Sequence, residues 1–235
     1  MLGPTTFHLV PVVFSWDETA AFRAIRLAFP PALSRSHTRP GQVVKIRTAP
    51  GEGFFALASA PDPGGRADLL VKRGGKVADS IVDRAGPGRS LELTEPFGNG
   101  FPVSAAEGAD VLLFAAGSGI APVRALVQHL IAYRERFNRV TLFYGQRRGA
   151  EFAYRGEGLG WERGGVRVVL CPSQADDAWE GVRGRVQEVA RTLAFGGARP
   201  LETFAFVSGM SAMVEDVRRT LSQAGVSPER VFSNF

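Results

Sequence analysis

Cysteine is nearly absent: Cys171 stands alone among 235 residues. That excludes internal disulfides, cysteine-ligated iron–sulfur clusters and cysteine-rich zinc sites. A reducing cytoplasm is the expected compartment. Histidine is scarce too, and His8, His37 and His129 are too scattered to read as a metal site; structural or surface roles are expected. Lysine occurs only at Lys45, Lys72 and Lys76, so the net charge of +5 is carried by arginine. The charge is spread out, with no basic run of five and no basic stretch interleaved with aromatics, so nucleic-acid binding is not expected. It suits an anionic cofactor or an acidic protein partner instead. No apolar run is long enough for a membrane helix. Met1–Glu18 has no basic residue ahead of its apolar stretch, so a secretory signal is not expected either.

What is present is ample core, with 45% hydrophobic residues, and two contrasting halves. The first hundred residues read as β. Expected strands are 6–13, 42–48, 53–59, 67–72 and 90–94, separated by clusters such as Arg39-Pro40-Gly41, Pro61-Asp62-Pro63-Gly64-Gly65 and Gly86-Pro87-Gly88. Short strands with regular turn signals favour a barrel or sandwich. Val77–Arg84 reads as one short helix. The glycine- and proline-rich stretch Pro96–Pro102 is the expected join, giving domains 1–102 and 103–235. After Asp110 strands alternate with helices: strands 111–115, 140–144, 166–171, 204–208 and 231–233, helices 122–137, 185–194 and 212–223. That order implies a parallel sheet, with ligands at the carboxyl ends of its strands.

One of those ends carries a motif. Leu112-Leu113-Phe114-Ala115-Ala116 runs into Gly117-Ser118-Gly119, then Ile120-Ala121-Pro122 and an apolar-periodic segment to Tyr133. This reads as strand, tight turn and helix, with Pro122 in the first helical turn. Such a turn brings bare backbone to a phosphate and offers it the helix N-terminus. The expectation is that a side chain on Gly117 or Gly119 would stand in the phosphate's place. The spacing is not the three-glycine dinucleotide fingerprint, so a purely structural turn stays open. Cys171 ends an apolar strand and reads as a buried small residue. Ser211 reads as a helix N-cap. Trp161 and Trp179 fall in loops and either border an adenine or pack the surface.

A small β domain followed by an α/β domain with Gly117-Ser118-Gly119-Ile120-Ala121-Pro122 on its first strand resembles the ferredoxin–NADP reductase family. Arg39-Pro40-Gly41-Gln42, Ala56-Leu57-Ala58-Ser59, Gly86-Pro87-Gly88, Pro96-Phe97-Gly98, Tyr144-Gly145-Gln146-Arg147 and Ser208-Gly209-Met210 extend the resemblance over nearly the whole chain. Ser173-Gln174, Asp176-Asp177, Trp179, Gly181, Gly184 and Asn234-Phe235 are similar to a fruit-protein-like branch of it. The resemblance implies an N-terminal antiparallel β-barrel flavin domain and a Rossmann-like parallel α/β nucleotide domain. It implies FAD and NAD(P) as cofactors and hydride passing from nicotinamide to flavin, which releases electrons to an acceptor; the sequence does not name that acceptor, and a redox protein on a separate chain is one candidate.

By the same resemblance, Phe54, Phe55, Ala56, Leu57, Ala58 and Ser59 form the flavin strand, and Lys72, Gly74, Gly75, Lys76, Val77 and Ala78 the flavin pyrophosphate turn. Gly117, Ser118, Gly119, Pro122, Arg147, Ser173, Gly209 and Met210 hold the nicotinamide nucleotide, and Phe55, Ser208 and Phe235 act at the rings. The chain departs from the family's pattern at Gly53, where an arginine is usual, at Phe55 for tyrosine, at Ala56 for serine and at Ala78 for serine or threonine. The stretch Lys72–Ala78 is thus either a phosphate cradle or a solvated hairpin tip. Gln174 stands where plant-type members carry an arginine, which leaves Arg147, Arg148, Arg183 and Arg185 as candidates for an adenosine phosphate. The alternative function is a nucleotide-binding regulatory or interaction module that kept the fold and lost the flavin.

Overall fold

The computed structural model describes residues 6–234. In β1 (Phe7–Thr19) Val10 and Val12 are buried while Leu9 and Val13 face outward, the two-residue period of a half-covered strand. β1 runs six residues past the expected end at Val13 and turns at Ala20-Ala21 into β2 (Phe22–Ala28), a strand the sequence reading missed. The charges Asp17, Glu18, Arg23 and Arg26 hide it, because they interrupt the apolar alternation. Yet two of them pair across the hairpin, with Asp17 3.0 Å from Arg23; Ile25 and Leu27 fill the barrel, while Phe22 and Ala24 are buried toward the parallel sheet.

A short helix α1 (Pro31–Ser36), also unexpected, leads to β3 (Val43–Thr48), β4 (Gly51–Ala56) and β5 (Arg66–Lys72). Helix α2 (Lys76–Arg84) and β6 (Ser90–Thr94) follow. The six strands are antiparallel in the order β4-β3-β6-β1-β2-β5. A bridge between Leu57 and Leu69 ties the end of β4 to β5, closing the sheet at that end into a barrel. Val10, Ile25, Val44, Ile46, Leu69, Val71 and Leu93 fill it, and Ile81 and Val82 of α2 pack against them.

The second sheet is parallel: β7 (Asp110–Ala116), β8 (Val140–Gln146), β9 (Val166–Pro172), β10 (Thr203–Ser208) and β11 (Val231–Ser233), in the order β11-β10-β7-β8-β9. All of β7 up to Ala115 is buried, as a central strand covered on both faces must be. Helices α3 (Ile120–Ala132) and α4 (Gly158–Arg163) share a core on one face, and α5 (Val186–Thr192) and α6 (Ser211–Gln223) share a core on the other. The first of these cores also takes in Phe22, Ala24, Ala58 and Leu70 from the barrel, so apolar packing continues across the junction. Helix α3 begins two residues before Pro122 and stops at Ala132 instead of Phe137. Ser211 is the first residue of α6 and not its cap; Met210 holds the cap position with no side-chain hydrogen bond. Among the described residues no helix is long and apolar enough to cross a membrane.

Candidate functional site

Strand β7 has β8 on one side and β10 on the other, so the connections diverge at its carboxyl end, and Ser208 of β10 lies opposite Ala115 of β7. Such a divergence leaves a crevice above an open sheet. Here the barrel forms the facing wall, and the result is a cleft of about 1000 Å3.

On the barrel wall, β4 presents Phe54, Phe55 and Ala56, and β5 presents Leu70 and Lys72. The Phe54 ring is 62% exposed, edge-on to Phe97 at 6.0 Å, with the Lys45 ammonium 5.5 Å from its centroid. Phe55 is half-buried against the barrel core. Glycine at 53 makes room for that ring, since a Cβ there would come 3.0 Å from Phe55 Cε2. Ala21 and Phe22 also line this wall, and the missed strand β2 is why the sequence reading omitted them.

On the sheet side, Gly117 has φ +58° and nothing within 4 Å of where a Cβ would be. Ser118 is exposed, Pro122 is buried, and no side chain caps α3. The Ile120 N–H donates to the Gly117 and Ser118 carbonyls, so an anion at this end would meet the glycine turn's own backbone and the positive dipole end of α3. Gly119 departs from expectation. A Cβ there would collide with the Ser208 carbonyl and lie 2.9 Å from the Gly209 nitrogen. Glycine at 119 lets β7's turn pack on β10's. Ser208 is 5% exposed, Gly209 and Met210 complete the rim, and the Met210 side chain is 74% exposed.

The far end of the cleft is polar. Arg147 Nε donates to Gln174 Oε1 at 2.8 Å, and the Ser173 N–H donates to the Gln146 carbonyl at 2.9 Å. Arg185 stands at the start of α5, and Gly145 sits against Val186, whose Cγ1 would lie 2.7 Å from a Cβ there. Asp216 enters from α6, held by Arg219 and by Gln187 Nε2 at 3.2 Å. Lys72, Arg147 and Arg185 face Glu151 and Asp216 around the rim, a net positive lining. Cys171 lies in the floor, where burial pushes its thiol up to about 12.

Other expected site residues lie elsewhere. Leu57, Ala58 and Ser59 are buried outside the cleft: Leu57 in the barrel core, Ala58 N–H on the Asp68 carbonyl at 2.7 Å, and Ser59 Oγ accepting the Asp68 N–H at 3.0 Å. They continue β4 toward β5, a role local sequence does not announce. Gly74, Gly75 and Lys76 are exposed, while Val77 and Ala78 lean on the barrel core; none of the five lines the cleft. The Gly74 N–H donates to Asp79 Oδ1 at 2.9 Å, and Arg73 pairs with Asp17 at 2.9 Å. Trp161 is core, and Trp179 stacks on Phe152 at 5.6 Å outside the cleft. Phe235 lies outside the described residues.

A family model described as an oxidoreductase NAD-binding domain matches residues 113–219, which run from β7 into α6 and include the glycine turn. Sulfhydrogenase 1 subunit gamma of Pyrococcus furiosus is 30% identical over 238 residues, covering 98% of this chain and 80% of that protein. Fruit protein pKIWI502 of Actinidia deliciosa is 26% identical over 224 residues, covering 88% of this chain and 69% of its own length. A solved ferredoxin NADP+ reductase from Neisseria gonorrhoeae with bound FAD and NADP superposes with a TM-score of 0.82 at 18% identity, covering 99% of this chain and 100% of that one; this likeness shows the fold. With a relative matched over nearly all of this chain, the matched domain and the barrel-plus-sheet architecture in agreement, the chain belongs to the ferredoxin–NADP reductase-like family of NAD-binding oxidoreductases.

Proposed function

We propose that the chain is a flavin-dependent NAD(P)H oxidoreductase, with FAD against the barrel wall, the nicotinamide nucleotide against the parallel sheet, and electrons leaving to a redox protein on a separate chain. One observation carries this reading: a single cleft holds Phe54, Phe55 and Lys72 of the barrel together with the open turn at Gly117 and the Ser208–Met210 rim. Residues 1–102 then serve as the flavin half and 103–235 as the nucleotide half.

The cleft fits a planar ring on the barrel side, since Phe55 offers a π face and Ala56 leaves space beside it. Lys72 supplies a charge for the flavin pyrophosphate at the rim. FAD, when bound, supplies the two-electron acceptor for nicotinamide hydride and the onward release of electrons. The protein's part is to orient and exclude water. Gly117, Ser118 and the α3 N-terminus hold the nucleotide's pyrophosphate, and Ser208 and Gly209 sit beside the nicotinamide. Fixing two rings together is the main rate term, and no acid–base triad is needed. The Arg147 guanidinium is braced by Gln174, and the Arg185 backbone N–H donates to Glu188 at 3.3 Å, its guanidinium in no ion pair among the described residues. The two guanidiniums take the adenosine 2′-phosphate, so NADPH is preferred. The relative's name, a subunit of a sulfhydrogenase, supports a partner chain as electron acceptor.

The test is the visible spectrum of purified protein incubated with FAD, followed by anaerobic NADPH. A bound flavin that bleaches on reduction supports the reading; no flavin binding refutes it. The second reading, a flavin-free nucleotide-binding module, is favoured by the turn after Lys72, which lies outside the cleft and whose Gly74 N–H is already held by Asp79, so it offers a flavin pyrophosphate no cradle. It expects nucleotide binding and a colourless protein.

A further inference from the structure

Arg124 is charged and 5% exposed, on the second turn of the helix that follows the glycine turn. Its guanidinium spans the junction between barrel and parallel sheet. Nη1 donates to the Ala58 carbonyl at 2.7 Å and to Asp68 Oδ2 at 3.2 Å, both on the barrel. Nε and Nη2 donate to Glu157 at 2.8–3.0 Å, and the Tyr154 ring lies 4.4 Å from the guanidinium carbon. The fork therefore has fixed directions on both sides, which a point charge on a flexible stem does not. Arg26 holds Asp68 from behind with bonds of 2.8 and 3.0 Å. Two guanidiniums and two carboxylates make the cluster neutral.

Its placement matters more than its strength. Arg124 is five residues past Gly119, and Ala58 is two residues past Ala56, which lines the cleft. One side chain thus joins the helix that meets the nucleotide to the strand end that carries Phe55 and Ala56. Buried ion pairs contribute little net stability compared with apolar packing, so what the cluster adds is the fixed direction of the Arg124 fork.

We propose that Arg124 is a positioning residue that couples the nucleotide half to the flavin strand, holding the spacing between the two rings. This rests on the proposed nucleotide site, and its test needs no flavin. Arg124→Met leaves no stranded buried charge, because Asp68 keeps Arg26 and the Glu157 side chain is 35% exposed; Arg124→Lys reaches one side of the junction only and is the second variant should the first not fold. Hydrogen exchange is followed with and without NADP+ at the amides of Ser118–Ile120 and at those of Leu57, Ala58 and Asp68, three residues outside the cleft. In the wild type NADP+ should slow both sets, the barrel set by about fivefold or more. In Arg124→Met the first set should stay protected and the barrel set should not respond. Barrel protection that persists in the variant, or is missing from the wild type while Ser118–Ile120 respond, overturns the proposal. If NADP+ and NAD+ protect neither set in the wild type, the nucleotide site itself is wrong and this proposal falls with it.

Discussion

Gly119→Ala tests whether the second glycine of the turn is there for packing or for ligand. The added Cβ meets the Ser208 carbonyl and the Gly209 nitrogen, 2.9 Å away, and both are backbone atoms. No rotamer change relieves the clash, so the turn between β10 and α6 has to move. Overpacking of this kind costs roughly 1–3 kcal/mol. At roughly 2–4 °C per kcal/mol for a chain of this size, Gly119→Ala should melt between about 2 and 12 °C lower, toward the upper end because the contact is rigid. Gly117→Ala is the matched control. Its site is empty and its φ is +58°, so only the left-handed backbone cost applies, roughly 1–2 kcal/mol. The ligand response should separate the two further. NADP+ at about 100 times its Kd stabilises a binding protein by about 2.7 kcal/mol, and Gly117→Ala should lose most of that increment because its methyl stands in the open turn. Thermal melts with and without NADP+ read both effects. A Gly119→Ala protein that melts with the wild type, or a Gly117→Ala protein that loses more stability than Gly119→Ala, would refute this division of roles.

Replacing Arg147 and Arg185 by alanine should each weaken NADPH binding by roughly 10–100-fold, the worth of a charged hydrogen bond, and leave NADH within about twofold; fluorescence titration with both nucleotides checks this, and equal losses would contradict it. Cys171, with its thiol pushed up to about 12, should resist iodoacetamide at pH 8 in the folded protein and react in urea, since the thiolate is the reactive form; mass spectrometry reads the adduct. Burial lowers His37 from 6.5 to about 4, so the unfolded chain binds more protons between those values. Stability should therefore rise with pH from about 4 to about 6.5 and be lost on acidification through that window. His37→Gln should flatten that part of a urea-midpoint profile, and an unchanged profile would show that other groups set it.

Much of the architecture was legible because its signals are local. The run Leu112–Ala116 ending in Gly117-Ser118-Gly119, the alternation of strands and helices after Asp110, and the turn clusters between short strands all act over a few residues, and the parallel and antiparallel sheets follow them. Where long-range pairing competes with local pattern, the reading failed. β2 is amphipathic only once Asp17 and Arg23 meet across a hairpin. Leu57, Ala58 and Ser59 belong to the flavin strand by family resemblance alone, and nothing local shows that barrel closure ties them to Leu69 and Asp68. The sequence by itself determined that a strand ends in a glycine turn followed by a helix. Only the tertiary structure decided that Gly117 is open while Gly119 is pressed against Ser208, because that contact comes from a strand some ninety residues later in the chain. The same holds for Arg124: on a helix it reads as one arginine among many, and its burial between Ala58, Asp68 and Glu157 exists only when the two sheets pack.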